Sequence, residues 1–251
     1  MHLSGHHILI TGGTSGIGAA LATTFHQRCN QVGICGRRPE RLRHMEARLP
    51  GLKTLVCDLS QDEGRHALLQ WAQQEMPRLN VLVNNAGIQR DIDLTQGLGE
   101  YLTGEDEIRV NLQSPIELTG LFAPFIRQNS NPSIINVSSG LGFVPMAAMP
   151  VYSATKAGMH AFTMAIRRQL QKIGIGVYEI IPPAVDTELN ARGRARRGNF
   201  RASLAPEVFV EGVLKALEDD VPEIGYGDSL RFITASRREL DEMFEAMNQG
   251  Q

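Results

Sequence analysis

The chain has 251 residues, a formal net charge of −2, 42% hydrophobic residues and 21% charged residues. That is an ordinary globular composition with enough length for one large core. The near-neutral charge excludes an electrostatic case for nucleic acid or an anionic membrane surface as partner.

No apolar run approaches the ~18 residues of a membrane span, and Met1 to His7 lack the basic region and long apolar core of a signal peptide. Cys29, Cys35 and Cys57 show no metal-ligand spacing; Cys35 and Cys57 lie in apolar runs and read as buried thiols. An odd cysteine count without a disulfide framework fits a reducing compartment, and a cytoplasmic location is expected. His2, His6 and His7 read as a solvated start, and no metal site is expected.

Strand and helix signals alternate along the chain. His7 to Thr11 is a short buried strand, Ile17 to Cys29 a helix with Ala20, Leu21, Thr24 and Phe25 at helical spacing, and Gln31 to Gly36 the second strand. Pro39, suited to a first turn, opens a helix to Leu49. Leu52 to Cys57 reads as strand, Gln61 to Glu75 as helix and Leu79 to Asn84 as the fourth strand. A loop from Gln89 to about Gly104 leads into a helical region through Gln128, where Pro115 and Pro124 predict bends or breaks. Ser133 to Ser138 is the fifth strand, Tyr152 to Lys172 a helix and Gly176 to Ile181 the sixth strand. Pro206 to Glu218 reads as helix, Glu223 to Tyr226 as a short strand and Ala235 to Met247 as an amphipathic helix. Continuous apolar strands alternating with helices predict an α/β fold: a three-layer, Rossmann-type doubly wound parallel sheet of about seven strands with helices on both faces. Without internal repeats or linkers, residues 1–251 read as one domain.

Two stretches carry chemistry. Between the first strand and first helix, Thr11-Gly12-Gly13-Thr14-Ser15-Gly16-Ile17-Gly18 is a turn whose glycines let the backbone approach a phosphate, and the helix behind it presents free N–H groups. Its spacing is G-x-x-x-G-x-G, and a P-loop ending is absent. The second stretch is Tyr152-Ser153-Ala154-Thr155-Lys156, with tyrosine and lysine on one helix face. An ammonium about 4 Å from a phenol, at an effective dielectric of ~20, contributes on the order of 4 kcal/mol, which lowers the phenol by up to about three pKa units toward neutrality. Upstream, Ile135 to Gly140 is an apolar strand ending in Ser138 and Ser139. Adjacent strand residues point to opposite faces, so one of the two serines serves the site; Ser139 is the expected one and Ser138 the alternative. At the end of the second strand stand Arg37 and Arg38, with no carboxylate; arginine accommodates a 2′-phosphate, so NADP is expected over NAD.

Taken together these residues resemble the short-chain dehydrogenase/reductase family over nearly the whole chain. Thr11 to Gly18, including Thr14, Ser15 and Ile17, matches its glycine-rich turn; Asp58, with Leu59 beside it, matches the acidic residue that contacts adenine. Asn84-Asn85-Ala86-Gly87 matches the family's N-N-A-G, Asn111 its helix asparagine, and Ser139, Tyr152 and Lys156 its catalytic set. Asn84 to Gln89, Val137 to Leu141 and Pro182 to Thr187 are similar to the DltE-like branch of oxidoreductases. The resemblance implies reduction of a carbonyl, or oxidation of a secondary alcohol, with Tyr152 as acid/base, Ser139 orienting the oxygen, Lys156 holding the nicotinamide ribose and Asn111 supporting a water chain. Pro182, Val185 and Thr187 are then expected at the carboxamide. Pro182-Pro183 departs from the family's Pro-Gly, so the turn must avoid needing glycine's freedom.

A substrate lid is expected at about 187–205. Its arginine-rich stretch, Asn190 to Arg201, reads either as a solvated flexible loop or as a grip on an anion. Phe143, Val144, Met146 and Met149 suit an apolar pocket wall or core. The resemblance also implies a homodimer or homotetramer built on helices 105–128 and 152–173, whose apolar residues include Leu118, Leu121, Phe122, Met159, Phe162 and Met164. The alternatives to an oxidoreductase acting on a small carbonyl or alcohol are a dinucleotide-binding sensor or scaffold without turnover and, more weakly, a structural subunit.

Overall fold

The computed structural model describes residues 1–198 and 204–249. Its strands are β1 (His7–Thr11), β2 (Gln31–Gly36), β3 (Lys53–Val56), β4 (Val81–Asn84), β5 (Ser133–Val137), β6 (Gly176–Ile181) and β7 (Glu223–Gly225). They form one 7-stranded sheet in the order β3-β2-β1-β4-β5-β6-β7, every pair parallel. The chain winds outward from β1 to β3, then returns to the other side of β1 with β4. The crevice beyond the carboxyl ends of β1 and β4 is therefore a topological switch point, where open sheets of this kind bind ligands.

The helices are α1 (Gly16–Gln27), α2 (Pro39–Arg48), α3 (Asp62–Glu75), α4 (Gly99–Thr103), α5 (Ser114–Ile126), α6 (Pro150–Leu170), α7 (Ala191–Arg197), α8 (Pro206–Glu218), α9 (Asp228–Thr234) and α10 (Arg237–Asn248). Side chains alternate across each strand. Ile8 and Ile10 of β1, Val81 and Val83 of β4, and Ile135 and Val137 of β5 pack with Phe25 of α1, Leu42 and Met45 of α2 and Phe209 of α8. Leu9, Leu82 and Ile134 point the other way, onto Leu68 of α3 and Phe122 and Ile126 of α5. Phe25, Phe122 and Phe209 are fully buried, and truncating such a ring to alanine costs about 3–5 kcal/mol.

Several elements differ from the sequence reading. The helical region before Gln128 is unbroken from 107 to 126 but takes a π-helical turn at Arg109–Gln113, directly before α5. Pro115 sits in the first turn of α5, where its missing N–H costs nothing, and Pro124 lies near the helix end. Helices α4, α7 and α9 are short, five or seven residues each, too short for a periodic signal to mark them. The expected open loop beyond Asn190 is thus helical over α7, while 199–203 of the lid, with Arg201, lie outside the described residues. The last helix, α10, starts two residues later than read, at a capping box formed by Ser236 and Glu239. Leu118, Phe122 and Met159 belong to the core, whereas Met164 and Ile116 are exposed on the outside of α6 and α5. Cys35 and Cys57 are buried thiols, as expected, and Cys29 is exposed. Among the described residues, no helix is long and apolar enough to cross a membrane.

Candidate active site

The glycine turn lies at the switch point. Gly12 has φ +67, and a Cβ there would meet Ala86 Cα at 2.8 Å; Gly16 has φ +54, and a Cβ there would press on the Thr187 methyl at 3.0 Å. A residue with a side chain would be strained at either position and would fill the cradle. Ser15 occupies the N-cap of α1 without a side-chain hydrogen bond to the first turn, and that turn holds no acidic residue. Its N–H groups and the positive end of the helix are therefore available to a pyrophosphate-like anion. The residues after β4 brace this turn. The amides of Asn85 and Ala86 donate to Thr11 Oγ1 at 3.0 and 3.1 Å, and Asn85 Nδ2 donates to the Thr11 carbonyl at 2.9 Å.

Next to the cradle, α6 and the end of β5 bring three expected residues together. Tyr152 and Lys156 are 5% and 4% exposed. The Ser139 hydroxyl faces the Tyr152 phenol closely enough to favour its charged form. Lys156 Nζ lies 5.6 Å from the Tyr152 ring centroid and donates to the Val137 carbonyl at 2.8 Å. Asn111 is in the π-helical turn, a distortion common at functional sites. Its amide clasps the backbone of Ile88: Oδ1 accepts from Ile88 N and Nδ2 donates to Ile88 O, both at 2.8 Å. Gly87 lies between Asn111 and Lys156: a Cβ on it would stand 3.4 Å from Asn111 Oδ1 and 3.8 Å from Lys156 Nζ. Ser138 is turned away from this cluster. It points to the opposite side and donates to Glu179 Oε1 at 2.5 Å.

One electrostatic expectation is corrected. The phenol of Tyr152 is not drawn toward neutrality. Burial pushes it up to about 12, with Glu107 adding to the rise and the Ser139 hydroxyl opposing it. Burial also brings the Lys156 ammonium down to about 8, with Glu179 opposing the fall. The ammonium is seated on the Val137 carbonyl, and desolvation is the largest cause of both shifts.

At the other end of the crevice, Arg37 and Arg38 stand half-exposed, each with a carboxylate. Arg37 Nη1 pairs with Glu105, which holds its guanidinium more firmly charged. Arg38 Nη2 reaches Ser15 Oγ at 3.3 Å, and its Nη1 lies 3.6 Å from Glu188, which also pairs with Arg41 at 2.6 Å. Asp58 Oδ1 accepts from Ser60 N at 2.9 Å, and the Leu59 carbonyl accepts from Arg65 Nη1 at 2.7 Å, fixing the corner after β3.

The Pro182-Pro183 turn needs no glycine, because none of the residues 175–189 has a positive φ. Gly140 N donates to the Pro182 carbonyl at 3.0 Å and Asp186 N to Leu204 O at 2.8 Å, with Val185 bridged to Leu204. The described part of the segment expected as a lid is pinned: Asn190 Nδ2 donates to Asp91 Oδ1 at 2.8 Å, and Arg194 Nη2 donates to the Thr187 carbonyl. Val144 and Met149 are buried, and Phe143 lies tilted against the His160 ring with centroids 4.5 Å apart.

Sequence reading missed the polar residues beneath α6. Glu179 is fully buried in β6, bonded to Ser138 and, at 2.9 Å, to His160 Nδ1. Two signals were available: a lone acid inside an otherwise apolar strand, and a histidine four residues beyond Lys156.

Comparisons with known proteins agree with this geometry. The profile of the short chain dehydrogenase family matches residues 6–198. An uncharacterized oxidoreductase, DltE of Bacillus subtilis (strain 168), is 40% identical over 248 residues, covering 99% of this chain and 98% of that protein. An uncharacterized oxidoreductase of Staphylococcus aureus (strain USA300) is 32% identical over 213 residues, 83% of this chain and 89% of that one. Among solved structures, a short chain dehydrogenase/reductase from Burkholderia phymatum in complex with NAD superposes with TM-score 0.85 at 19% identity, covering 97% of this chain and 96% of that chain. A short chain dehydrogenase from Burkholderia cenocepacia in complex with NADP gives TM-score 0.81 at 25% identity, covering 97% and 99%. The uncapped glycine cradle, the Ser139–Tyr152–Lys156 cluster and the full-length match to DltE together assign this chain to the short-chain dehydrogenase/reductase family, in its DltE-like branch.

Proposed function

We propose that this oxidoreductase prefers NADP(H) and interconverts a small carbonyl compound and its secondary alcohol, with Tyr152 as the acid/base. The observation that carries the reading is the burial of Tyr152 and Lys156 one helical turn apart, with Ser139 facing the phenol and Gly87 against the Lys156 ammonium.

The residues fit a nicotinamide dinucleotide, and the Burkholderia cenocepacia relative holds NADP. Gly12, Thr14, Ser15, Gly16, Ile17 and Gly18 would seat its pyrophosphate; Arg37, Arg38, Asp58 and Leu59 would meet its adenosine end. Asn85, Ala86 and Gly87 would line the crevice between, with Pro182, Val185 and Thr187 at the carboxamide and Lys156 at the nearby ribose. When bound, the nicotinamide supplies or accepts the hydride at the carbonyl carbon. Ser139 orients the carbonyl oxygen and Tyr152 gives it a proton. A phenol pushed up to about 12 is fully protonated at neutral pH, which is the form that reduction requires. Asn111, already braced on Ile88, would support the water chain that resupplies Tyr152. A homodimer or homotetramer is supported by Ile116 and Met164, exposed on the outer faces of α5 and α6; light scattering on the eluted protein tests it.

The experiment is absorbance of reduced nicotinamide across neutral ketones, aldehydes and keto acids, with NADPH and NADH in parallel. The expected result is oxidation with at least one carbonyl class, faster with NADPH. A preference for keto acids would give the lid arginines an anion to hold. Thermal stabilisation by NADPH with no turnover anywhere on the panel would overturn the enzyme reading in favour of a sensor or scaffold.

A further inference from the structure

Tyr152, Lys156, His160 and Thr163 follow one another along one face of α6, three or four residues apart. In the strands beneath, Asn136 of β5 pairs in register with Glu179 of β6, so their side chains share one face of the sheet; Ser138, two residues on, shares it too. The contacts run in a closed path. Lys156 Nζ donates to the carbonyl of Val137; Ser138, the next residue, donates to Glu179 Oε1; Glu179 Oε2 meets His160 Nδ1, and His160 lies one turn beyond Lys156. Asn136 Nδ2 continues the seam by donating to Thr163 Oγ1 at 2.9 Å. Glu179 has no exposed surface, whereas the His160 side chain keeps 22%.

A buried carboxylate is costly unless it is paired and hydrogen-bonded. If the seam only tied α6 to the sheet, a neutral amide would serve it, accepting from Ser138 and donating to His160. What a carboxylate adds is negative charge, placed under the helix turn that carries Lys156. We propose that Glu179 is a positioning residue for the acid–base pair: its charge, gripped by Ser138 and His160, keeps the Lys156 ammonium charged and seated on the Val137 carbonyl. This rests on the reading of Tyr152 and Lys156 as that pair.

The ionisable neighbours are few. Tyr152 and His160 flank Lys156 on α6, and Glu179 lies below it on β6. From the segment before α5, Glu107 acts on Tyr152, while Asn111 borders Lys156 without charge. His160 in turn feels Glu223 at the start of β7 and Arg167 of α6. Burial lowers the Lys156 ammonium, and Glu179 is the charge that opposes the fall.

The test needs no turnover, so its outcome is separate from that of the carbonyl panel. The chain has four lysines, Lys53, Lys156, Lys172 and Lys215. Full-length protein labelled with ε-13C-lysine therefore gives four side-chain signals, and the one missing from Lys156→Arg identifies Lys156. In the wild type its midpoint is expected near 8. In Glu179→Gln it falls further, by about one pH unit, while the thermal midpoint stays within a few degrees. Glu179→Asp, which keeps the charge on a shorter reach, falls less. A Lys156 midpoint unchanged in Glu179→Gln overturns the proposal and leaves Glu179 as a structural tie. Should Glu179→Gln not fold, Glu179→Asp is read instead, and a Lys156 midpoint that does not fall in it overturns the proposal.

Discussion

The seam under α6 and the arginine edge at the end of β2 are both assembled from ionisable groups, yet they hold charge in opposite ways. In the seam, Tyr152, Lys156 and Glu179 are 5%, 4% and 0% exposed. At the edge, the Arg37, Arg38 and Glu188 side chains are 49%, 46% and 61% exposed. Burial pushes the Tyr152 phenol up to about 12 and the Lys156 ammonium down to about 8. Exposure leaves each ion pair at the edge worth about 0–1 kcal/mol, and less in salt. Ionisable groups are thus held out of water at one end of the crevice and in water at the other.

The largest expected effect falls on the seam. Tyr152→Phe removes the proton donor while keeping the ring in its buried slot, so turnover is expected to drop by about 1,000-fold with NADPH affinity nearly unchanged. Stopped-flow absorbance and fluorescence titration measure the two quantities. Retention of most activity would put the proton elsewhere and remove the contrast between the two regions.

Lys156→Met comes next. The ammonium goes from an ordinary 10.5 to about 8 on folding, and ~2.5 units correspond to roughly 3 kcal/mol of destabilisation by the buried charge. The sign follows from proton counting. Below about pH 8 both states hold the proton and the full cost is present; between about 8 and 10.5 only the unfolded chain holds it, so the cost is relieved as pH rises; above 10.5 it is gone. Lys156→Met is therefore expected to raise the thermal midpoint at pH 7 while abolishing turnover, with the stability gain shrinking through that window. Lower stability in the variant at pH 7 would mean that the Val137 carbonyl and Glu179 more than offset desolvation.

The same division explains what could be read from the amino-acid order. β1, β2 and β6 match the bounds read for them to the residue, because a strand buried on both faces is largely apolar. The glycine turn, Ser139, Tyr152 and Lys156 stand at spacings that survive as geometry. Glu179 was lost inside a strand read as apolar, since period and hydropathy do not show which buried acid has partners. The direction of the Tyr152 shift was also illegible: i, i+4 spacing places Lys156 on the same face but not its ammonium, which Val137 captures. Likewise Arg37 and Arg38 were visible as cations, but Glu105 and Glu188, distant in sequence, were not visible as their partners.

At the edge, effects shrink. Arg37→Asp exchanges a fork that suits a 2′-phosphate for a carboxylate that repels it and suits a free hydroxyl. The ratio of NADPH to NADH affinity is expected to fall by about tenfold, read by fluorescence titration with each nucleotide. Equal or tighter NADH binding by the wild type would remove the arginine argument altogether.

Glu188→Gln is the smallest and finest probe. Glu188 follows Thr187, whose methyl crowds Gly16, and its carboxylate reaches Arg41 at 2.6 Å and Arg38 at 3.6 Å. If those guanidiniums receive a 2′-phosphate, Glu188 is the internal anion that the phosphate has to displace, whereas a cofactor with a free hydroxyl leaves the pair intact. Neutralising it is then expected to tighten NADPH by about threefold and leave NADH unchanged, which is the scale of an exposed pair. Raising salt should erase most of that difference, because the competing charges are within reach of solvent ions. Equal weakening of both nucleotides would instead mean that Glu188 acts by anchoring the segment after Thr187, and the edge would then be a clasp on the lid rather than a selector of cofactor.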